Sequence, residues 1–237
     1  VNAENIYSRG SHFYIYVIMY FGAILYLSAS TIVTAREYQN RSRLLIYPLI
    51  LFVMAETIIQ VALPELHVTW LCVTLLSVLY FIYCNEMWNQ LDALTGLLNQ
   101  NSYLKRTGGG RCNGEVLVVF DVDNFKQIND HYGHVQGDIC LAEIAECIKK
   151  VYANDGYCYR TGGDEFCVLL KNSEKEGECR QEFLWRMEEK RRKITFLPTV
   201  SYGSASFSGE DIVEVKERAD RDMYQYKNKR KKRSSME

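Results

Sequence analysis

Arg160-Thr161-Gly162-Gly163-Asp164-Glu165-Phe166 sets two glycines and two carboxylates between apolar runs. Tyr157-Cys158-Tyr159 before it and Cys167-Val168-Leu169-Leu170 after it have strand composition. The segment therefore reads as a tight hairpin with acids at its tip. Its glycines allow backbone conformations that side chains forbid and leave room for a bulky ligand. Carboxylates on such a turn suit a hard metal ion, and hard metal ions suit phosphoryl chemistry. An ordinary acidic surface turn has the same composition, so the hairpin alone does not separate the two.

A second acidic site lies upstream. Val116-Leu117-Val118-Val119-Phe120 is a short apolar run, consistent with a buried strand, and it ends in Asp121-Val122-Asp123. A carboxylate at the end of a buried strand is costly unless it is paired or binds a metal. In α/β sheets ligands gather at strand ends. If this strand lies beside the hairpin, Asp121 and Asp164 share a site for one or two metal ions. The following segment, residues 124–138, mixes amides, a lysine, glycines and a carboxylate ahead of a helical pattern. Such groups suit a base edge and phosphate oxygens.

Three motifs in order and spacing make the chain resemble the GGDEF-family diguanylate cyclases over residues 92–233. They are Asp92-Ala93-Leu94-Thr95-Gly96-Leu97-Leu98-Asn99, the block from Asp121 to Asp138, and Gly162 to Phe166. The resemblance implies condensation of two GTP into cyclic di-GMP with release of two pyrophosphates, in a homodimer that uses Mg2+ or Mn2+. It implies Asp121, Asp164 and the Val122 carbonyl as metal ligands, and Asp164 as the base for the ribose 3′-hydroxyl. Glu165 supports the acidic site and Lys126 stabilises phosphate charge. Asn129 and Asp138 read the guanine edge, His134 positions the nucleoside, and Gly162 and Gly163 leave space for the nucleotide. Lys227 and Lys231 on a final helix contact phosphate. Aspartate at 138 matches the N–H donors of guanine, which adenine lacks.

Some positions depart from the family pattern. Thr161, Gln100, Arg230 and Lys232 replace the usual aromatic or aliphatic residue, arginine, glycine and asparagine. None removes an implied metal ligand or base reader. Ala153 and Gly156 stand where many members carry the R-x-x-D product-inhibition pair, so feedback at that site is expected to be weak or absent. A non-catalytic GTP or cyclic di-GMP sensor on the same scaffold is the rival reading. Such sensors usually lose a signature acid or a base reader, and this chain keeps all of them.

The 237 residues carry a net charge of −1, which gives no sign of a polyanionic partner such as nucleic acid. That balance hides an asymmetry, because the first ninety residues are apolar and aromatic. Residues 13–35, 44–63 and 68–84 are long apolar stretches, interrupted only by Glu56. The expectation is an all-α membrane region over residues 1–84 with about three spans and further spans before Val1. Arg36, Arg41 and Arg43 put the first loop in the cytoplasm, so the chain becomes a multi-pass protein of the inner membrane with its catalytic domain inside. An apolar stripe through Leu79, Tyr80, Tyr83, Met87 and Leu91 suggests a helical stalk over residues 85–91.

Residues 92–233 then read as an α/β (α+β) nucleotidyl-cyclase-like domain with a central mixed sheet flanked by helices. The part after the hairpin looks short for the family, as if a peripheral strand pair were missing. Eight cysteines without a C-x-x-C pair argue for core fillers rather than a zinc site. Receptors of cyclic di-GMP would be indirect partners.

Overall fold

The computed structural model describes residues 69–108 and 115–234, and before them only scattered positions between 14 and 59. The chain divides into two units, Val1–Asn89 and Gln90–Glu237. In the first unit, α1 runs Thr69–Trp88. The expected spans at 13–35 and 44–63, with Glu56, fall largely or wholly outside the described residues. The third is helical, but α1 closes on Asn85-Glu86-Met87-Trp88. Among the described residues no helix is long and apolar enough to cross a membrane, so the three-span region finds no support there. The stalk is also corrected. The helix stops at Trp88, and Leu91 instead bridges Leu98 and accepts a hydrogen bond on its carbonyl from Asn99.

The second unit comprises α2 (Gln100–Thr107), β1 (Val116–Val122), α3 (Phe125–Tyr132), α4 (His134–Tyr152), β2 (Gly156–Arg160), β3 (Glu165–Leu170), α5 (Glu176–Lys193), β4 (Val200–Ser206) and α6 (Ile212–Ser234). A single 3-10 turn, Ser173–Lys175, precedes α5. The sheet order is β2-β3-β1-β4 and all three ladders are antiparallel. The parallel component of the expected mixed sheet is confined to one bridge, Leu98 to Tyr159. Among the described residues the sheet has four strands and no peripheral pair follows the hairpin.

β1 and β3 are central and covered on both faces, which explains their unbroken apolar runs. Strand parity assigns the faces. Val118, Phe120, Phe166 and Val168 pack with Ile144, Ile148 and Phe183 of α4 and α5. Phe120 meets Phe183 edge to face, with ring centroids 5.0 Å apart. Leu117, Val119, Cys167 and Leu169 face the other way, onto Tyr103 of α2 and Val215 and Ala219 of α6. Asp121 and Glu165 share that second parity, so they lie on the side covered by α6.

Local chemistry sets the helix ends. Asn99 caps α2, its Oδ1 accepting from the Ser102 N–H at 3.0 Å. Gly133, at φ 85°, makes the break between α3 and α4, and only glycine takes that conformation cheaply. The helix expected from Asp138 therefore starts earlier, at His134. The charged α5 buries a thin stripe, Cys179, Phe183 and Met187. The cysteines are core fillers: Cys140, Cys147, Cys158, Cys167 and Cys179 are buried and free. Burial pushes the Cys158 thiol up to about 12, leaving it protonated and inert.

Candidate active site

β1 and β3 bring the predicted carboxylates together. Asp121 lies directly opposite Glu165 in the ladder. The Val122 N–H donates to the Asp164 carbonyl at 3.2 Å. The hairpin tip is closed by Thr161 N–H to Glu165 carbonyl at 3.0 Å. Gly162, Gly163 and Glu165 are exposed, while Asp121 and Asp164 are half-buried. No atom lies within 4 Å of where a Gly163 side chain would begin, so the space above the tip is open.

α6 delivers a cation to this end of the sheet. Val215, Ala219 and Met223 recur every four residues and seat the helix on the sheet. Lys227 continues the same stripe one turn beyond. Its Nζ lies 2.5 Å from Asp121 Oδ2 and 3.5 Å from Asp123 Oδ1. Burial works against the Lys227 charge, but Asp121 and Asp123 outweigh it and raise its pKa above the ordinary lysine value. The helix can come this close because Gly203 of β4 lacks a side chain. A Cβ there would stand 2.2 Å from the Ala219 carbonyl oxygen and 2.3 Å from the Met223 nitrogen.

Asp123 is an anchor that sequence reasoning gave no role. It accepts hydrogen bonds from the hydroxyls of Thr199 and Ser201, both at 2.7 Å. The Arg230 guanidinium donates to it at 3.1 Å. Arg230, noted in the sequence only as a departure, thus fills the glycine's place with an ion pair. Lys231 also lies in α6, but its side chain falls outside the described residues.

The remaining predicted residues gather on the α3–α4 corner. Asn124, at φ 56°, turns the chain out of β1 into α3, a left-handed position asparagine tolerates. Lys126 is exposed in the first turn of α3, and His134 and Asp138 are exposed in the first turns of α4. Asn129 lies against Gly137, the residue before Asp138. Its Oδ1 is buried and accepts no hydrogen bond.

The motif at Asp92 supports the hairpin. Asp92 Oδ1 accepts from the Thr95 N–H at 2.9 Å and its hydroxyl at 2.6 Å. Arg160 Nη1 reaches the same carboxylate at 3.1 Å, while its Nη2 donates to the Gly163 carbonyl at 2.7 Å. One guanidinium thus links the turn at residues 92–97 to the hairpin tip. Burial opposes the Asp92 charge, yet the Thr95 and Arg160 bonds hold its pKa below the ordinary carboxylate value.

The donor set fits a small hard cation. Two carboxylates and a carbonyl are oxygen ligands. Among the described residues no group of three or more His, Cys, Asp or Glu side chains converges. Magnesium is typically held by one or two carboxylates plus substrate phosphates, whereas zinc needs a fuller protein cage. The Lys227 ammonium on Asp121 marks that position as one that takes positive charge.

Comparison with known proteins places this geometry. The family model for the diguanylate cyclase GGDEF domain matches residues 89–233. Diguanylate cyclase A of Treponema denticola is 31% identical over 147 residues, covering 59% of this chain and 40% of that protein. DgcS of Shewanella oneidensis is 33% identical over 150 residues, 60% of this chain and 51% of that protein. DgcM of Escherichia coli is 34% identical over 146 residues, 58% of this chain and 36% of that protein. The chain thus spans about a third to a half of these curated relatives. A microbial GGDEF domain solved in interaction with cyclic di-GMP is 31% identical, with TM-score 0.51, covering 59% of this chain and 94% of that structure. The coiled coil and GGDEF domain of DgcB from Caulobacter crescentus, in complex with c-di-GMP, is 26% identical, with TM-score 0.58, covering 68% and 93%. With the family model covering more than half of the chain, and its signature at the tip of the β2–β3 hairpin, the chain belongs to the GGDEF-domain diguanylate cyclase family.

Proposed function

We propose that the chain condenses two GTP molecules into cyclic di-GMP, acting as a homodimer with Mg2+ or Mn2+. The observation that carries this is the backbone of β1 and β3, which sets Asp121 opposite Glu165 and beside Asp164 at one end of the sheet, with Lys227 on Asp121. Asp121, Asp164 and the Val122 carbonyl hold the metal, which when bound neutralises phosphate charge. Asp164 takes the proton from the 3′-hydroxyl of one GTP. The oxygen then bonds to the α-phosphorus of the other, and the bond from that phosphorus to the bridging oxygen breaks, releasing pyrophosphate. The same exchange in the opposite sense closes the ring. Lys126 and Lys227, with Lys231, hold phosphate oxygens, so the work is positioning and charge neutralisation. Asn129 and Asp138 hold the guanine edge, and His134 the nucleoside. One site holds one GTP, so the product requires two chains face to face.

Attachment to the inner membrane through the apolar N-terminal third belongs to the same reading. Its support is the charge-poor sequence there and the exposure of Leu75, Val78, Leu79, Phe81 and Ile82 around α1. Recovery of the full chain in the soluble fraction without detergent would sink this part. For the activity, the purified chain is incubated with GTP and magnesium beside Asp164→Ala and a chelated control. Cyclic di-GMP from the parent, reduced on the order of a hundredfold or more in both controls, is the expected result. A folded parent that binds GTP and makes no product favours the sensor reading.

A further inference from the structure

Four groups converge on the Asp123 carboxylate. Its Oδ2 accepts from the Thr199 hydroxyl at 2.7 Å and from Arg230 Nη1 at 3.1 Å. Its Oδ1 accepts from the Ser201 hydroxyl at 2.7 Å, and Lys227 Nζ stands 3.5 Å from the same oxygen. A carboxylate offers about four lone-pair positions, so this one is fully engaged. Lys227 is the most distant of the four and lies nearer to Asp121, at 2.5 Å. Two cations and two anions thus alternate in the order Arg230, Asp123, Lys227, Asp121. The two cations are three residues apart on α6 and share one of its faces. Arg230 has further anchors, since its Nη1 also lies 3.5 Å from the Val200 carbonyl oxygen and its guanidinium stands 5.9 Å from the centre of the Tyr226 ring.

We infer that Arg230 is a positioning residue for Lys227: by neutralising Asp123 it keeps the ammonium available to phosphate. This rests on the assignment of Lys227 as a phosphate contact and adds a residue at a position where the family usually has glycine. Lys227 gives up Asp121 when it turns to the nucleotide. Asp123 is then the neighbouring anion able to capture it, and an ammonium drawn fully onto Asp123 is lost to the triphosphate. Arg230 satisfies that carboxylate first, with a charge that does not titrate and a planar group that α6 and Tyr226 hold in place. A glycine at 230 would leave Lys227 as the one α6 cation beside Asp123. Arg230 acts through Asp123 and Lys227 rather than by touching substrate.

The test uses the full chain with magnesium and 3′-deoxy-GTP, which binds without cyclising. Its dissociation constant is read by competition against a fluorescent guanosine nucleotide, with a melting temperature for each variant. Arg230→Gln is expected to weaken binding about tenfold or more, the loss of one charged hydrogen bond. Arg230→Lys keeps the charge and should retain most of the affinity. Asp123→Asn removes the competing anion, so Asp123→Asn combined with Arg230→Gln should bind close to the parent. A merely structural role predicts the reverse, because the double variant has lost more contacts than the single one. Unchanged binding in Arg230→Gln overturns the inference, as does a double variant no tighter than Arg230→Gln alone. If Asp123→Asn fails to fold, the contrast between Arg230→Lys and Arg230→Gln decides, and a lysine no better than glutamine overturns it. If Lys227→Gln binds the analogue as well as the parent, the phosphate assignment falls separately, and the inference falls with it.

Discussion

Two glycines give opposite forecasts from the same kind of measurement. Gly203 is enclosed by backbone, with the Ala219 carbonyl and the Met223 nitrogen inside contact distance of any added carbon. Backbone cannot step aside as a side-chain tip can. Gly203→Ala is therefore expected to destabilise by about 1–3 kcal/mol or more and to lift α6 from the sheet, seen as a lowered thermal midpoint. Gly163 has open space around it and no positive φ. Gly163→Ala should leave stability unchanged or raise it by about 0.4–1 kcal/mol. If the open tip admits the nucleotide, the same variant should lose about tenfold or more in turnover, measured as pyrophosphate release. Full turnover there would show that the glycine is not kept for the ligand.

Between α4 and α5, Lys190 clasps Glu143 and Glu146, and Glu146 also meets Lys150. Hydrogen bonds from Lys150 and Lys190 hold the Glu146 carboxyl down at about 2, against an ordinary 4.5. A depressed acid binds fewer protons in the folded state. Its contribution is complete above about pH 4.5 and is lost as pH falls through about 2. For Lys190, burial opposes the charge, but the two glutamates prevail and raise its pKa, so its share is lost only above the ordinary 10.5. The Glu146 side chain is 44% exposed, so solvent screening keeps the effect small. Lys190→Met should flatten the acid limb of stability between pH 4.5 and 2, as read by urea midpoints across that range. An acid limb identical to the parent's would assign the loss elsewhere. The elements themselves were legible in the sequence wherever the signal was local. Strand runs flanking Gly162-Gly163 gave the hairpin, and the apolar run ending in Asp121 gave β1. The stalk was misread because Leu91 fits a helical stripe by spacing, whereas its partner is Leu98 in a bridge.

Across the molecule, the hidden part is what only the tertiary fold can join. Asp121, Asp164 and Glu165 were legible as neighbours, since acids at the ends of two apolar runs mark strand ends of one sheet. Asp123, Thr199, Ser201 and Arg230 were not, because Asp123 and Arg230 are 107 positions apart and each alone is ordinary. Gly137, Gly156 and Gly203 were equally mute, since a missing Cβ acquires meaning only from its neighbours. The second of these has a bearing on control. Where a product-binding aspartate would sit, Gly156 opens β2, and any side chain there would begin 2.7 Å from the Leu169 carbonyl oxygen and 3.1 Å from the Leu170 Cα. Turnover of the chain is expected to continue undiminished when cyclic di-GMP is added at up to tens of micromolar, read as initial rate against added product; a steep fall would reveal a brake built from other residues. The same close approach makes the position hard to refill: an acid introduced at 156 has to part β2 from β3 before it can meet any ligand.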